Sequence, residues 1–149
     1  MPNLPYLIDT NVFLRIVPKT DPDRAIALSA LRKLIENGAE LYYTTQVLAE
    51  FWTVCTRPPT ARGGYGLSPA KTERKIRMIE RYCRFVPETV ASHAEWRRLI
   101  IAHAIQGVQA HDARLVAVMK TYGITHLLTF EKGNFTRFQG ITVVAPSDA

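Results

Sequence analysis

Two acidic residues follow apolar runs in the sequence, at places where buried strands should end. Asp9 comes directly after the run Leu4–Ile8, and Glu131 lies two residues beyond Thr129, where a later apolar run ends. Asn134 follows three residues after Glu131 and offers an amide oxygen as an alternative to that carboxylate. Each of these residues could simply cap a helix or form a turn, so they indicate a site only if their strands share one edge.

Two further acids lie on predicted helices. Glu50 falls at the border of an apolar helical stripe, which is an ordinary position for a glutamate. Asp112 is less ordinary, because the residues three, four and seven positions after it are all apolar. It therefore occupies the side of its helix that should be buried. An aspartate there is costly unless it is paired, binds a metal or caps the start of its own helix.

Carboxylates gathered at one edge of a sheet indicate metal-ion chemistry. They repel one another, which raises some of their pKa values unless a cation is bound. Their hard oxygen atoms suit Mg²⁺ or Mn²⁺. A metal held in this way activates water and neutralises charge on a phosphodiester under attack. The acids therefore favour a metal-dependent nuclease, provided that the chain also binds a polyanion.

The net charge of +6 is concentrated in one segment of the chain. Between Arg57 and Arg84, eight basic residues stand against two acidic ones. Most of them lie on a helix that Ser68-Pro69 should open and that should reach about Cys83. Helical spacing places Ile76, Ile79 and Cys83 on one side of it and Arg74, Arg77 and Arg81 on roughly the opposite side. This segment favours a polyanionic partner, although a solvated helix face is the simpler interpretation.

Strand-like and helix-like segments alternate along the chain. The predicted strands are Leu4–Ile8, Leu41–Thr44, Phe85–Val86, Thr125–Thr129 and Ile141–Val144. Between them we expect a short apolar piece at Val12–Val17 and then a helix from Asp21-Pro22 to Gly38. The next two helices are one capped by Thr45 and broken after Arg57, and the basic helix. The last two are a helix opened by a capping box at Ser92–Glu95 and ended near Gln106-Gly107, and a helix from about Asp112 to Gly123. Strands joined through helices imply one α/β domain over residues 1–149, with a parallel sheet covered on both faces. The functional crevice of such a sheet lies beyond the carboxyl ends of its strands.

Four motifs in this order resemble those of the PIN domain family, and within it the VapC-type toxin ribonucleases of bacterial toxin–antitoxin pairs. They are Tyr6-Leu7-Ile8-Asp9-Thr10-Asn11-Val12, Thr45-Gln46-Val47-Leu48-Ala49-Glu50-Phe51, His111-Asp112-Ala113-Arg114-Leu115-Val116-Ala117 and Leu127-Leu128-Thr129-Phe130-Glu131-Lys132-Gly133-Asn134-Phe135. Each motif alone is weak, but the ordered set spans nearly the whole chain and is fairly specific.

This resemblance implies a three-layer α/β/α fold with a central parallel sheet and a magnesium-dependent endoribonuclease centre. Asp9, Glu50 and Asp112 match the family's three acids, and Glu131 matches its fourth position, where Asp or Asn is usual and where Asn134 is a rival. Asp9 and Asp112 would hold Mg²⁺, with Mn²⁺ as an alternative. The likeness also implies that Thr10, Asn11 and Thr129 support the acids or position water.

The resemblance further implies an RNA substrate, a homodimer and a small antitoxin protein as partner. Two other functions remain open. A non-catalytic RNA-binding module would retain the acids for structure alone. A phosphotransfer domain would also place an aspartate at a strand end, but Asp9-Thr10-Asn11 lacks the second aspartate of a D-x-D motif.

The cysteine pattern, the apolar runs and the first residues argue against a zinc protein, a membrane protein and a secreted protein. Cys55 and Cys83 form no C-x-x-C motif, and Cys55 falls in an apolar stripe, so we expect reduced structural thiols rather than a zinc site. No apolar run approaches the ~18 residues of a membrane span. The segment Met1–Pro5 has no basic and apolar pattern typical of a secretory signal. We therefore expect a cytoplasmic protein without a membrane segment.

Overall fold

The computed structural model describes residues 3–149 and contains a five-stranded sheet in the order β3-β2-β1-β4-β5. The strands are β1 (Pro5–Ile8), β2 (Glu40–Tyr43), β3 (Arg84–Phe85), β4 (His126–Leu128) and β5 (Thr142–Val144). All four neighbouring pairs are parallel, as predicted. Met1 and Pro2, on which the prediction about a secretory signal partly depends, lie outside the described residues.

Six α-helices connect these strands within residues 3–149. They are α1 (Thr10–Leu14), α2 (Arg24–Glu36), α3 (Thr45–Thr56), α4 (Pro69–Tyr82), α5 (Val90–Ala102) and α6 (Gln109–Tyr122). Short 3₁₀ turns at Lys132–Phe135 and Pro146–Asp148 follow β4 and β5.

The strand order explains the three layers. From β1 the chain moves outward to β2 and then to β3, and it later returns across the sheet to β4 and β5. Because parallel crossovers are right-handed, outward and returning connections lie on opposite faces of a sheet. The helices α1 to α4 thus cover one face, where α3 packs against α1 and α4, and α5 packs along α6 on the other. The predicted α/β/α fold is confirmed.

β1 is the centre of the sheet and the point where the strand order reverses. Its register aligns Leu7 with Tyr42 of β2 and with Leu127 of β4. Leu7 and Ile8 are completely buried, which explains why the strand reads as a continuous apolar run. The crevice of a doubly wound sheet opens at such a reversal, so Asp9, the next residue, is placed at the expected site.

Several helix starts differ from those expected. Thr44, not Thr45, caps α3, because its hydroxyl accepts a hydrogen bond from the Val47 amide at 3.2 Å. The capping box of α5 consists of Thr89 and Ser92, and the predicted partner Glu95 lies inside the helix, where it pairs with Arg98.

Two other starts were also misplaced. Helix α2 begins at Arg24, because Asp21 and Pro22 form a turn in which the Asp21 carboxylate accepts a hydrogen bond from the Asp23 amide at 2.9 Å. Helix α6 begins at Gln109, three residues before the predicted start at Asp112.

The predicted position of the basic helix and the predicted burial of Cys55 are confirmed. Ser68 caps α4, whose buried side includes Ile76 and Ile79, whereas Arg74, Arg77 and Arg81 are exposed. Cys55 and Cys83 are free, buried thiols, and burial raises the pKa of Cys55 to about 11 and that of Cys83 to about 12. No helix within residues 3–149 has both the length and the apolar character needed to cross a membrane.

Candidate active site

A cavity of about 590 Å³ opens at the carboxyl end of the sheet. Its lining includes all four predicted acids, namely Asp9, Glu50, Asp112 and Glu131, together with Asn134. These residues come from the end of β1, from α3, from α6 and from the segment after β4. The parallel sheet therefore brings together side chains that are far apart in the sequence.

Asp9 is buried and held in place from three directions. Its backbone amide donates to the Leu128 carbonyl at 3.0 Å, which ties it to β4. Its Oδ1 accepts a hydrogen bond from the Thr10 amide at 2.8 Å, and its Oδ2 accepts one from the Thr129 hydroxyl at 2.8 Å. Asp9 is the N-cap residue of α1, so the capping interpretation is correct, but its second oxygen also binds Thr129, the residue after β4.

Asn11 links the two segments that follow β1 and β4. Its amide nitrogen donates to Thr129 Oγ1 at 3.1 Å and to Asp9 Oδ2 at 3.3 Å. Its amide oxygen accepts a hydrogen bond from the Phe130 backbone amide at 3.1 Å. Both ends of the side chain are therefore used, and the Asp9 carboxylate is held in a single orientation.

Glu50 is gripped through both carboxylate oxygens. The Thr10 hydroxyl donates to Oε2 at 2.8 Å, and the Gln46 amide donates to Oε1 at 2.9 Å. Gln46 and Glu50 lie four residues apart and share one face of α3. The same Gln46 nitrogen donates to the His111 carbonyl at 2.9 Å, which connects α3 to the first turn of α6.

Asp112 is half-buried in the first turn of α6. The N-cap position belongs to Val108, so Asp112 does not cap its own helix and that interpretation is wrong. No donor among residues 3–149 forms a hydrogen bond to its carboxylate. Because Asp112 is partly buried without serving as a cap, the free-energy cost of burying its charge must be offset in another way.

The acids influence one another's protonation. The pKa of Asp9 is raised to about 6, mainly by burial and also by the negative charges of Glu50 and Glu131, while the hydrogen bonds from Thr129 and Thr10 lower it. Burial likewise raises the pKa of Asp112 to about 6, assisted by the charges of the other three acids and opposed by Arg137. Repulsion of this kind is what a bound cation relieves.

Both candidates for the fourth position reach the cavity. Glu131 is exposed, and its charge raises the pKa of Asp9 and of Asp112. Asn134 is half-buried, and its backbone amide donates to the Glu131 carbonyl at 3.0 Å within one tight turn. The two side chains therefore belong to the same segment, and only Glu131 adds charge.

Two arginines in the cavity wall were not predicted as site residues. Arg57 had been counted only with the basic segment, and Arg114 only as part of a motif. Arg114 forms a two-pronged ion pair with Glu88, with Nη2 to Oε2 at 2.6 Å. This pair occupies Nε and Nη2 and leaves Nη1 unpaired with Glu88. Helical spacing does not identify Arg114, because residues two positions apart, such as Asp112 and Arg114, do not share a face of a helix.

The donor chemistry of the cavity suits a magnesium ion. Within residues 3–149, no group of three or more His, Cys, Asp or Glu side chains is placed so that it could hold a metal on its own. Mg²⁺ usually binds through one or two carboxylates and keeps several waters or substrate phosphate oxygens as its other ligands. A pair of carboxylates with raised pKa values in an open cavity, Asp9 and Asp112, meets that requirement.

A second, more apolar groove of about 670 Å³ lies between α2 and α4. Its apolar lining includes Leu28, Leu31, Ile35, Met78 and Tyr82. Its charged lining consists of Lys19, Arg24, Arg32, Lys75 and the single acid Glu36. The groove therefore has a mainly apolar lining with more basic than acidic residues, and within the described part of the chain it shares no lining residue with the acidic cavity.

Comparison with known proteins agrees with this architecture. The sequence matches the PIN domain family over residues 6–141, so the chain belongs to that family. It is 27% identical over 139 residues to ribonuclease VapC13 of Mycobacterium tuberculosis, a match that covers 93% of this chain and 98% of the relative.

Solved structures share the fold at low sequence identity. FitAB bound to an IR36 DNA fragment is similar with a TM-score of 0.69 and 19% identity, covering 97% of this chain and 96% of the other. A toxin–antitoxin complex from Klebsiella pneumoniae is similar with a TM-score of 0.65 and 16% identity, covering 97% and 99%.

Proposed function

We propose that this protein is a Mg²⁺-dependent endoribonuclease that acts as the toxin of a type II toxin–antitoxin pair. The observation that most supports this proposal is the single cavity in which Asp9, Glu50, Asp112 and Glu131 lie beside Arg57 and Arg114. This combination of charges suits phosphodiester hydrolysis, because carboxylates can hold a metal that activates water while guanidinium groups bind the phosphate. Membership of the PIN family and the similarity to a VapC ribonuclease agree with it.

Each group in the cavity has a distinct task in this proposal. Asp9 and Asp112 would hold Mg²⁺, with Mn²⁺ as an alternative. When bound, such an ion would supply a lowered pKa for water and positive charge beside the phosphate. Glu50, fixed through both oxygens, orients the attacking water and accepts its proton. Glu131 adds negative charge to the same cavity, and Asn134 is the alternative residue for this fourth position.

The arginines and the supporting side chains complete the site. Arg57 and Arg114 bind the backbone phosphates that flank the scissile bond, since guanidinium groups match phosphate oxygens in charge and geometry. Thr10, Asn11 and Thr129 do not contact RNA in this proposal. They hold the carboxylates in place through the hydrogen bonds described above.

The proposal is tested by incubating purified protein with total RNA and with tRNA, with Mg²⁺ or with EDTA. We expect cleavage with Mg²⁺ and none with EDTA. Binding of RNA without cleavage under both conditions would instead identify a non-catalytic RNA-binding module. Release of inorganic phosphate, or a stable acyl-phosphate on Asp9, would identify a phosphotransfer domain.

The antitoxin partner is supported by the groove between α2 and α4. Its apolar side chains and its excess of basic over acidic side chains are complementary to an amphipathic segment that bears acidic residues. The similar complex from Klebsiella pneumoniae contains a toxin and an antitoxin. Co-expression with a short reading frame adjacent to this gene tests the pairing, and we expect the two products to co-purify and RNA cleavage to stop. We also expect the toxin to form a homodimer, which analytical ultracentrifugation would detect.

A further inference from the structure

Gln46 is a buried polar residue whose side-chain amide makes two hydrogen bonds but leaves its oxygen without a partner in the described part of the chain. Its side chain is only 5% exposed, and it lies on α3 directly beneath the acidic cavity. The amide nitrogen has two acceptors, Glu50 Oε1 and the His111 carbonyl, each at 2.9 Å. The amide oxygen is buried and has no hydrogen-bond partner among residues 3–149.

The two acceptors fix the orientation of this amide. Turning it over would place the Gln46 oxygen against the Glu50 carboxylate and the His111 carbonyl, so that three acceptors would meet without a donor. The unpartnered oxygen is therefore a consequence of the two bonds that the nitrogen makes. A leucine or methionine of similar volume would fill the same space without a buried, unsatisfied polar atom.

Those two bonds connect acids from opposite faces of the sheet. α3 belongs to the layer on one face and α6 to the layer on the other, and His111 directly precedes Asp112. One nitrogen atom thus sets the distance between Glu50 and the turn that contains Asp112. No other side chain among residues 3–149 joins Glu50 to α6 by a hydrogen bond, since its second oxygen is bonded to Thr10 of α1.

We propose that Gln46 is a positioning residue, which holds Glu50 at a fixed place and distance relative to the Asp112 turn of α6. This inference rests on the proposed nuclease function and adds a residue to it. Gln46 itself touches neither RNA nor metal. It acts on the reaction through Glu50, and its unsatisfied oxygen is retained because the position requires an amide donor.

The first experiment compares Gln46→Met with the parent and with the control Gln139→Met, which makes the same exchange at an exposed site. We expect kcat for RNA cleavage to fall about 10- to 100-fold in Gln46→Met, with KM within about threefold of the parent. The melting temperature in EDTA should change by no more than about 3 °C, because the loss of the two hydrogen bonds and the removal of the unsatisfied oxygen have opposite effects on stability. Unchanged kcat in a folded Gln46→Met protein would overturn the proposal.

The second experiment asks whether the effect passes through Glu50. Gln46→Met is combined with Glu50→Gln, and kcat of the double variant is compared with that of each single variant. If Gln46 acts by holding the Glu50 carboxylate, the double variant should be no slower than Glu50→Gln alone. A full additional loss in the double variant would show that Gln46 acts elsewhere and would overturn the proposal.

The third measurement does not depend on cleavage. In metal-free parent protein, the side-chain NH₂ protons of Gln46 should exchange with solvent much more slowly than those of Gln139, because both acceptors hold them. In Glu50→Gln the Gln46 signals should shift. If the NH₂ protons of Gln46 exchanged as fast as those of Gln139, the two hydrogen bonds to Glu50 and His111 would be absent and the proposal would be overturned. If the parent cut no RNA but the NH₂ protons of Gln46 exchanged slowly, the nuclease proposal would be contradicted, while the link that Gln46 forms between Glu50 and α6 would be established.

Discussion

The Thr129 hydroxyl donates a hydrogen bond to Asp9 Oδ2 at 2.8 Å, although the two residues are 120 positions apart in the sequence. The bond joins the residue after β1 to the residue after β4, and Asn11 reinforces it by donating to both partners. The Asp9 carboxylate is thus oriented by Thr129 and Asn11, which are also hydrogen-bonded to each other. Changing this carboxylate alone tests its role in the reaction.

Replacing Asp9 with Asn should abolish RNA cleavage, with a loss of about 100-fold or more, while the protein remains folded. The change removes one carboxylate from the proposed Mg²⁺ site and keeps the size of the side chain. Cleavage rate and circular dichroism measure the two effects, and Asp148→Asn, at an exposed position, serves as the control. Full turnover in Asp9→Asn would contradict the assignment of a metal centre.

Stability should depend on pH through Asp112. Its pKa of about 6 in the folded protein lies above the ordinary value of 3.8, so folding favours the protonated form and its contribution is lost as pH rises from about 4 through 6. Asp112→Asn removes this loss. The melting temperature of the variant relative to the parent should therefore be higher at pH 7.5 than at pH 4.5, by about 2–4 °C, corresponding to ~1 kcal/mol after solvent screening. A difference that is the same at both pH values would contradict the shift.

Magnesium should stabilise the parent more than Asp112→Asn. A ligand that binds only the folded state at 100 times its Kd adds about 2.7 kcal/mol to the free energy of unfolding. The melting temperature of the parent should rise by several degrees over a Mg²⁺ titration, and that of Asp112→Asn by much less. Equal rises in the two proteins would indicate that Asp112 is not a ligand.

Arg114→Gln should weaken RNA binding about tenfold, because one charge-assisted contact to phosphate is lost. Arg98→Gln is a matched control, since Arg98 forms a similar two-pronged pair with Glu95 but does not line the cavity. Affinity is best measured in the Asp9→Asn background, so that RNA is bound without being cut. Equal affinities for Arg114→Gln and Arg98→Gln would exclude Arg114 from the phosphate contacts.

The exposed side of α4 makes a separate prediction about RNA. Changing Arg74, Arg77 and Arg81 together to Gln, again with Asp9→Asn, should weaken RNA binding and lower its salt dependence by roughly 0.7 slope units for each lost contact. Cleavage-site preference, measured in the triple variant with Asp9 intact, should not change, because phosphate contacts do not read sequence. Unchanged affinity and salt slope would show that this face serves solubility or an acidic partner.

Most of the fold was predictable because each signal is local. The apolar run before Asp9 predicts β1, and Ser68-Pro69 predicts the start of α4 within a residue. The errors fall at helix starts, by one residue at the cap of α3 and by three residues at the start of α6, because the tertiary structure decides which of several residues begins a helix.

The site was predictable in its acids but not in what holds them. Asp112 stood out because a charge interrupts an apolar stripe. Gln46 gave no such signal, since a glutamine near a helix start is ordinary, and its two acceptors come from different helices. Arg114 was likewise missed, because its partner Glu88 lies 26 residues away in sequence and the pairing depends on how the layers pack.

Because β1 lies between β2 and β4, the sheet around it and the acidic cavity can be completed only late in the synthesis of the chain. Asp9 and Glu50 emerge early, whereas Asp112 and Glu131 belong to the last third of the chain. Until β4 is made, β1 lacks one of its two neighbours, and Asp9 lacks the hydroxyl of Thr129. Contacts between such distant segments form late compared with local helices. A growing or prematurely ended chain thus contains at most part of the acidic cavity, and the complete cavity arises only when the chain is nearly finished.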